Sequence, residues 1–309
     1  PPPPPPPPPP RLDSSAASDV YKRQPATLSM LLSAYGSTLD QAVIGAALRG
    51  HEDDKNVGPD ELAAYAQGQG FQAEVRVGGT TDLLRLLLSN GLPVLVETWH
   101  EDEPGDGLGH YRLLTGYNDA DGFWLAYDSY DAANLVAPDG PYRGIRLPYA
   151  EFDDDWRVFN RTYLLIHPPD RAEAVAAIMQ DEGEGTAMWQ AALATANAET
   201  AANPDTAFAW FKTGTNLVAL GDDAGDGAAF DRALALGLPW RMLWYQFGPF
   251  EAFHAQGRYA ETLALAEKTI ASGADIEELH YWRGMALAAQ GATAEATAAA
   301  AQASSRSGN

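Results

Sequence analysis

Apolar residues recur with two different periods in this chain, and the change of period divides it. Up to about residue 169, helical spacing alternates with short apolar strands; from Asp170 onward only helical spacing remains. Leu28, Leu31, Leu32 and Tyr35 make an i, i+3, i+4, i+7 stripe. Pro25 suits a first helical turn and Gly36 a stop, so a helix is expected over 25–36. Further helices are expected over 40–48, 60–68 and 82–89. Strands are expected at 73–77, 92–97, near 142–147 and at 161–167, with a helical turn or two over 149–159. Between them, 110–117 and 123–128 read as two strands around Asn118, Asp119, Ala120, Asp121 and Gly122. These residues tolerate left-handed backbone and close tight turns. The expectation is an α+β unit over 25–169: three helices, then a mainly antiparallel sheet.

Beyond it alanine rises and an internal period emerges. Trp210, Gly214 and Leu217 recur as Trp244 and Gly248, then as Gly284 and Leu287, with the glycines 34 and 36 residues apart. Second-helix positions follow at Phe230 and Ala233, at Ala260 and Leu263, and at Ala296 and Ala300, and Pro239 punctuates the first unit. The pattern resembles tetratricopeptide repeats, in which a small residue lies where two helices cross. It places an all-α repeat domain at 185–309, with 170–184 as a linker. A generic alanine-rich bundle is the alternative.

Composition narrows the function. The chain carries 20 basic and 42 acidic residues, a net charge of −22. That balance repels phosphate backbones and anionic membrane surfaces, so no nucleic-acid partner is expected. No run of eighteen apolar residues exists, so no membrane span is expected. Cysteine is absent, which excludes disulfides, thiolate metal sites and cysteine nucleophiles in the chain as written. Residues 1–10 are all proline, and 11–24, RLDSSAASDVYKRQ, have no apolar period. That string resembles translated sequencing-adapter read-through at the ends of metagenomic contigs. Residues 1–24 are therefore set aside as an artefactual leader, and the natural chain is expected to be truncated before Pro25.

Candidate chemistry centres on the hairpin. Folding it about its turn brings His110 almost opposite Asp128 at the open end. A histidine held by an aspartate is the base-and-orienter half of a nucleophilic triad; a half-buried His beside a strand-end Asp is the plainer alternative. His51 with Glu52, Asp53 and Asp54, and His100 with Glu101, Asp102 and Glu103, lack zinc or calcium-loop spacing. They read as solvated acidic loops, so no metal and no cofactor is expected. The 102–109 loop leads into His110 and is expected to rim a cleft. Asp119 and Asp121 read as turn residues. Trp240, Trp244, Tyr245 and Phe247 read as repeat core, with a grip on a partner peptide as the alternative. His167, His254 and His280 have no partners visible in sequence.

The helix start PATLSM, the hairpin GHYRLLTGYND and the following YDSY together resemble a papain-like cysteine peptidase. The nearest resemblance is to family 39, the bacteriocin-leader processing proteases and their stand-alone relatives, and it covers 25–169. The segments DKNV, RVGG and NRTYLLIHPP also resemble a bacterial subgroup in which this domain is joined to tetratricopeptide repeats. The family's nucleophile lies in a Cys-Gly-Pro-Ala motif opening the first helix, and Pro25-Ala26 match its end. His110 matches the base and Asp128 the orienting acid, although Ser129 stands where the family often has proline. The resemblance implies a papain-like fold, a peptide or protein substrate and a protein partner at the repeats. It also implies thiol chemistry: helix-terminal amides acidify the thiol, the histidine deprotonates it, and backbone amides with an upstream glutamine hold the oxyanion. An extracytoplasmic or membrane-anchored location follows only from the family's link to secretion.

The chain departs from the family at the decisive place. Arg23 occupies the cysteine position and Gln24 the glycine position, and the upstream oxyanion glutamine has no counterpart. Ser29 sits a full turn inside the helix and is no substitute. Two functions are therefore carried: a cysteine peptidase inactive as written, or a non-catalytic peptidase-like scaffold acting through its repeats. The residue at position 23 in an intact homologous gene separates them. The leader itself lacks the apolar pattern needed to offset its ordering entropy. Deleting 1–22 should leave the melting temperature unchanged within error; a loss of several degrees would show that the segment packs.

Overall fold

The structure, a computed structural model, describes residues 23–49, 56–101, 105, 107–130, 133–139, 142–180 and 182–307. Residues 1–22 of the leader and the His51–Asp54 cluster lie outside the described residues, whereas Arg23 and Gln24, set aside with the leader, belong to the first helix. The chain forms two compact units, the first ending at Gly183. As expected, the first is α+β and the second all-α.

In the first unit, α1 (Arg23–Ala34) starts two residues earlier than its apolar stripe indicated. In α2 (Gln41–Leu48), Asp40 Oδ1 accepts the amides of Ala42 and Val43, both at 2.9 Å, which satisfies donors a helix start leaves open. Helix α3 (Pro59–Gly68) has proline in its first turn, and α4 (Thr81–Ser89) is capped by the Thr80 hydroxyl, which accepts from Leu83 N. Six strands form one sheet in the order β1-β6-β2-β3-β4-β5: β1 (Gln72–Arg76), β2 (Val94–Glu101), β3 (Gly107–Asn118), β4 (Phe123–Asp128), β5 (Ile145–Pro148) and β6 (Tyr163–His167). The β1–β6, β6–β2, β3–β4 and β4–β5 pairings are antiparallel. Helix α5 (Tyr149–Trp156) joins β5 to a 3-10 turn before β6.

Strand side chains alternate between faces, and here both faces are buried. Leu28, Leu31, Ile44 and Leu62 of α1–α3 pack with Leu95, Leu113, Tyr127 and Leu164. On the other face Leu84 and Leu87 of α4 and Phe152 and Trp156 of α5 pack with Val94, Val96, Leu114 and Trp124. Covering both faces explains why the central strands read as continuous apolar runs.

Three expectations needed correction. Strand β2 continues to Glu101, so His100 and Glu101 are strand residues rather than part of a solvated loop, and β3 starts at Gly107 rather than His110. Sheet pairing carries polar Thr98 and His100 along with it. The 170–184 stretch contains α6 (Ala172–Met179), whose Val175 and Met179 are buried in the core, so it is more than a linker. Among the described residues, no helix is long and apolar enough to cross a membrane.

The second unit runs α7 (Thr186–Ala202), α8 (Ala207–Leu220), α9 (Asp223–Ala235), α10 (Gly248–Ala255), α11 (Tyr259–Ala271), α12 (Glu277–Ala289) and α13 (Thr293–Arg306). The middle repeat is irregular. Trp244 lies in a 3-10 turn, and α10 restarts at Gly248 with Pro249 in its first turn, where a missing amide is harmless. Trp244 is buried and Trp240 exposed, with the Arg241 guanidinium over both rings.

The repeat glycines do unequal work. A Cβ on Gly214 would lie 2.7 Å from the ring of the fully buried Phe230, and one on Gly248 would meet the same ring at 2.7 Å. A Cβ on Gly284 would meet its nearest neighbours at an ordinary 3.5 Å. Alanine gains about 1 kcal/mol over glycine inside a helix, whereas overpacking costs about 1–3 kcal/mol. Gly214→Ala should therefore lower the denaturation midpoint of the repeat unit, with partial recovery on adding Phe230→Leu. Gly284→Ala should leave it unchanged or raise it. Equal effects at the two positions would contradict the clamp on Phe230.

Candidate active site

The hairpin register decides what meets Asp128. Next to the turn, Asn118 pairs with Phe123, Tyr117 with Trp124 and Gly116 with Leu125. The register then slips by one: Leu114 pairs with Ala126, Leu113 with Tyr127 and Arg112 with Asp128. Thr115 is the extra residue of a bulge, and its hydroxyl lies 3.4 Å from the Leu125 carbonyl. Without it Leu113 would oppose Asp128, and His110 would point to the other face. With it, His110, Arg112 and Asp128 share one face. Arg112, not His110, is thus directly opposite Asp128, and His110 reaches it diagonally.

His110 Nε2 lies 2.8 Å from Asp128 Oδ2, and both side chains are fully buried. Oδ2 also accepts from Arg112 Nε at 3.0 Å, while Oδ1 accepts from the Tyr130 amide at 2.7 Å. The Tyr142 hydroxyl accepts from the Asp128 amide and donates to its carbonyl, both at 2.9 Å. Because the carboxylate accepts, Nε2 of His110 carries the proton, and Nδ1 is the nitrogen with a lone pair for chemistry. Thr98 donates to the His110 carbonyl at 3.1 Å and fixes the backbone beneath the ring.

Arg112 ties this group together. Its NH1 donates to Thr98 Oγ1 at 3.0 Å and to Asp155 Oδ2 at 3.2 Å, and its NH2 lies 3.2 Å from His100 Nδ1. Guanidinium nitrogens only donate, so His100 Nδ1 accepts and the proton of the neutral ring sits on Nε2. The His100 ring stands 5.6 Å from that of His110 and 5.3 Å from that of Tyr130. Burial pushes the Asp155 carboxyl up, and Arg112 pulls it back down. Of these residues only His110 and Asp128 were legible as a site. Arg112, Thr98, Tyr142 and Asp155 gave no motif; an arginine inside an apolar strand was the one available signal.

At the other end of the expected site, Arg23 opens α1 and Gln24 is buried. Thr27 donates to the carbonyl of Tyr111, the residue after His110, at 3.3 Å. The Ser29 hydroxyl donates to the Leu39 carbonyl at 2.8 Å, which commits it to the backbone. Asp119 accepts from Arg85 at 2.9 Å and from Tyr149 at 2.8 Å, so it anchors the turn to α4 and α5. His280 meets Asp275 at 2.7 Å in the second unit, and His167 Nδ1 lies 3.0 Å from the Pro168 carbonyl. Among the described residues, no group of three or more His, Asp or Glu is placed to hold a metal ion.

No family model and no curated protein matches the chain. Several solved structures are similar to parts of it. A double glycine motif protease from an AMS/PCAT transporter, solved with the leader peptide, has 16% sequence identity, with 49% of this chain and 87% of its own covered and a TM-score of 0.35. A C39-like peptidase from Bacillus anthracis has 13% identity, with 47% and 88% covered and a TM-score of 0.36. MamA has 16% identity, with 43% and 74% covered and a TM-score of 0.35. Likeness of this degree assigns no activity to the chain.

The reverse face of the same strands carries a second buried acid. Glu97 of β2 is fully buried near Tyr111, and among the described residues neither its Oε2 nor the Tyr111 hydroxyl has a partner at full hydrogen-bond geometry. Burial pushes the Glu97 carboxyl up to about 8, tempered by the Tyr111 hydroxyl and reinforced by Asp60. The unfolded carboxyl titrates near 4.3, so between about 4.3 and 8 the folded chain holds a proton that the unfolded chain has lost. Stability should therefore fall as pH rises through that window, by up to about 1.4 kcal/mol per pH unit. Glu97→Gln, with the shape of the protonated acid, should flatten that slope in denaturant melts run from pH 5 to 8. A slope unchanged by the substitution would mean Glu97 is ionised in the fold.

Proposed function

We propose that the first unit is a papain-like cysteine peptidase domain whose nucleophile position is occupied by Arg23, and that the helical repeats bind a substrate or partner protein. The observation that carries this reading is the buried His110–Asp128 pair at 2.8 Å, with the ring tautomer set so that Nδ1 is the base. With a thiol at position 23, Nδ1 would take the thiol proton and the thiolate would add to a peptide carbonyl. The amine would leave with that proton, and water would release the acyl group. Asp128 holds the ring throughout and supports the imidazolium that forms.

A second reading, a non-catalytic scaffold, is favoured by Arg23 itself and by the complete burial of His110 and Asp128. An arginine is no nucleophile, and a base sealed from solvent must be uncovered before it meets a substrate.

Replacing Arg23→Cys and Gln24→Gly tests the choice. Helix amides and an imidazolium partner should pull the new thiol well below its free value of about 8.5. The measurement is alkylation rate against pH, with and without His110→Ala. The expected result is an acid-shifted profile that returns toward normal when His110 is removed. Peptide hydrolysis should stay weak, because a lost oxyanion donor costs roughly 10²–10³ in rate. A thiol that titrates as free and ignores His110 would favour the scaffold.

A further inference from the structure

We propose that Arg112 is the positioning residue of the His110–Asp128 pair: it shares Asp128 Oδ2 with the imidazole and holds the pair as a neutral ring beside a charged carboxylate. The inference rests on reading His110 as the base and adds what sets its proton. Arg112 is only 3% exposed, on the sheet face that also carries the apolar cluster of α4 and α5. A buried guanidinium is costly unless its charge and its donors are met, and breaking such a pair strands the other charge. Here its donors reach four residues on three elements: Asp128 of β4, Thr98 and His100 of β2, and Asp155 of α5. Those anchors leave the guanidinium one orientation, with Nε aimed at the oxygen that His110 uses.

The electrostatic consequence has a definite sign. A lone buried aspartate beside an imidazole favours the imidazolium, because opposite charges within about 4–6 Å stabilise each other. Arg112 supplies the counter-charge first, and a cationic ring would then face a second cation across the shared oxygen. Among the described residues, the groups facing His110 include Arg112 on its own strand, Asp128 from β4, His100 from β2, with ring centroids 5.6 Å apart, and Tyr130 at 6.4 Å. Asp155 of α5 reaches the ring only through Arg112. At the start of α1 stands Arg23, whose side chain lies outside the described residues.

The chain has six histidines, so the His110 imidazole can be assigned by comparison with His110→Ala and titrated by NMR in the full protein. Arg112→Met removes the charge and keeps the bulk. It should raise the His110 midpoint by about 1–3 pH units. Arg112→Lys keeps the charge but loses the planar fork, and should raise it less. Asp155→Asn, at a half-exposed position that does not touch His110, leaves Asp128 as the one carboxylate bound by Arg112 among the described residues and should lower the midpoint measurably. An unmoved midpoint in folded Arg112→Met overturns the proposal; should that variant fail to fold, an unmoved or raised midpoint in Asp155→Asn overturns it. A thiol at position 23 indifferent to His110 would reject the peptidase reading and leave this titration standing, so the two failures are distinguishable.

Discussion

One unpaired residue, Thr115, decides which face of the sheet His110 uses. The hairpin turn alone sets a register in which Asp128 faces Leu113, and His110 and Arg112 point away from it. The slip between Gly116 and Leu114 reverses that parity for every residue beyond it. His110, Arg112 and Asp128 then share a face with Thr98, and Tyr111 and Leu113 are released to the face that α1–α3 cover. A one-residue shift flips a whole strand, so the bulge is a precondition of the site rather than a local defect.

Because both faces of the sheet are buried, each ionisable group placed there must find a counter-charge or give up its own. Two buried acids of the central strands illustrate the two outcomes. Asp128 accepts from His110, Arg112 and the Tyr130 amide, so desolvation is met by donors. Glu97, on the reverse face, is pushed up to about 8 by burial, with Tyr111 and Asp60 the other groups acting on it among the described residues. The same dry sheet therefore gives one carboxyl a guanidinium within hydrogen-bond reach and holds the other toward its neutral form by burial. Asp155 and His100 in turn stabilise Arg112, so the group is self-consistent only as a set.

Much of this was legible in the sequence, for identifiable reasons. The α1 stripe and the alternating strands follow from apolar period, and the hairpin from its Asn-Asp-Gly turn. The His110–Asp128 proximity was foreseen, but not its geometry, since bulges leave no periodic trace. Strand β2 was read too short because Thr98, His100 and Glu101 look like loop residues until the sheet supplies partners for them. Arg112 stayed invisible because its role exists only after four elements meet. In the repeats, glycine spacing correctly marked the close approaches at Gly214 and Gly248. It could not distinguish them from Gly284, which has room for a methyl group. The regular period also hid the break at Trp240–Trp244, where Pro239 and Pro249 interrupt the helix.

The two functional readings part at one atom, Nδ1 of His110. A scaffold needs only that the buried polar groups satisfy one another, which Asp128, Arg112, Thr98 and Asp155 largely do by themselves. A peptidase needs in addition a nitrogen that takes a thiol proton at the start of α1. The network engages the Nε2 side of the ring and the backbone beneath it, so it sets the same basic nitrogen whether or not a nucleophile stands at position 23. Arg112 then acts in opposite senses on two properties that a thiol peptidase balances. In the role proposed above, its compensation of Asp128 would keep His110 neutral and able to accept a proton. By the same charge it makes the resulting imidazolium less stable, which weakens the thiolate–imidazolium pair that the reaction starts from. The arrangement therefore suits a base that passes its proton on to the leaving amine, more than one that stores it.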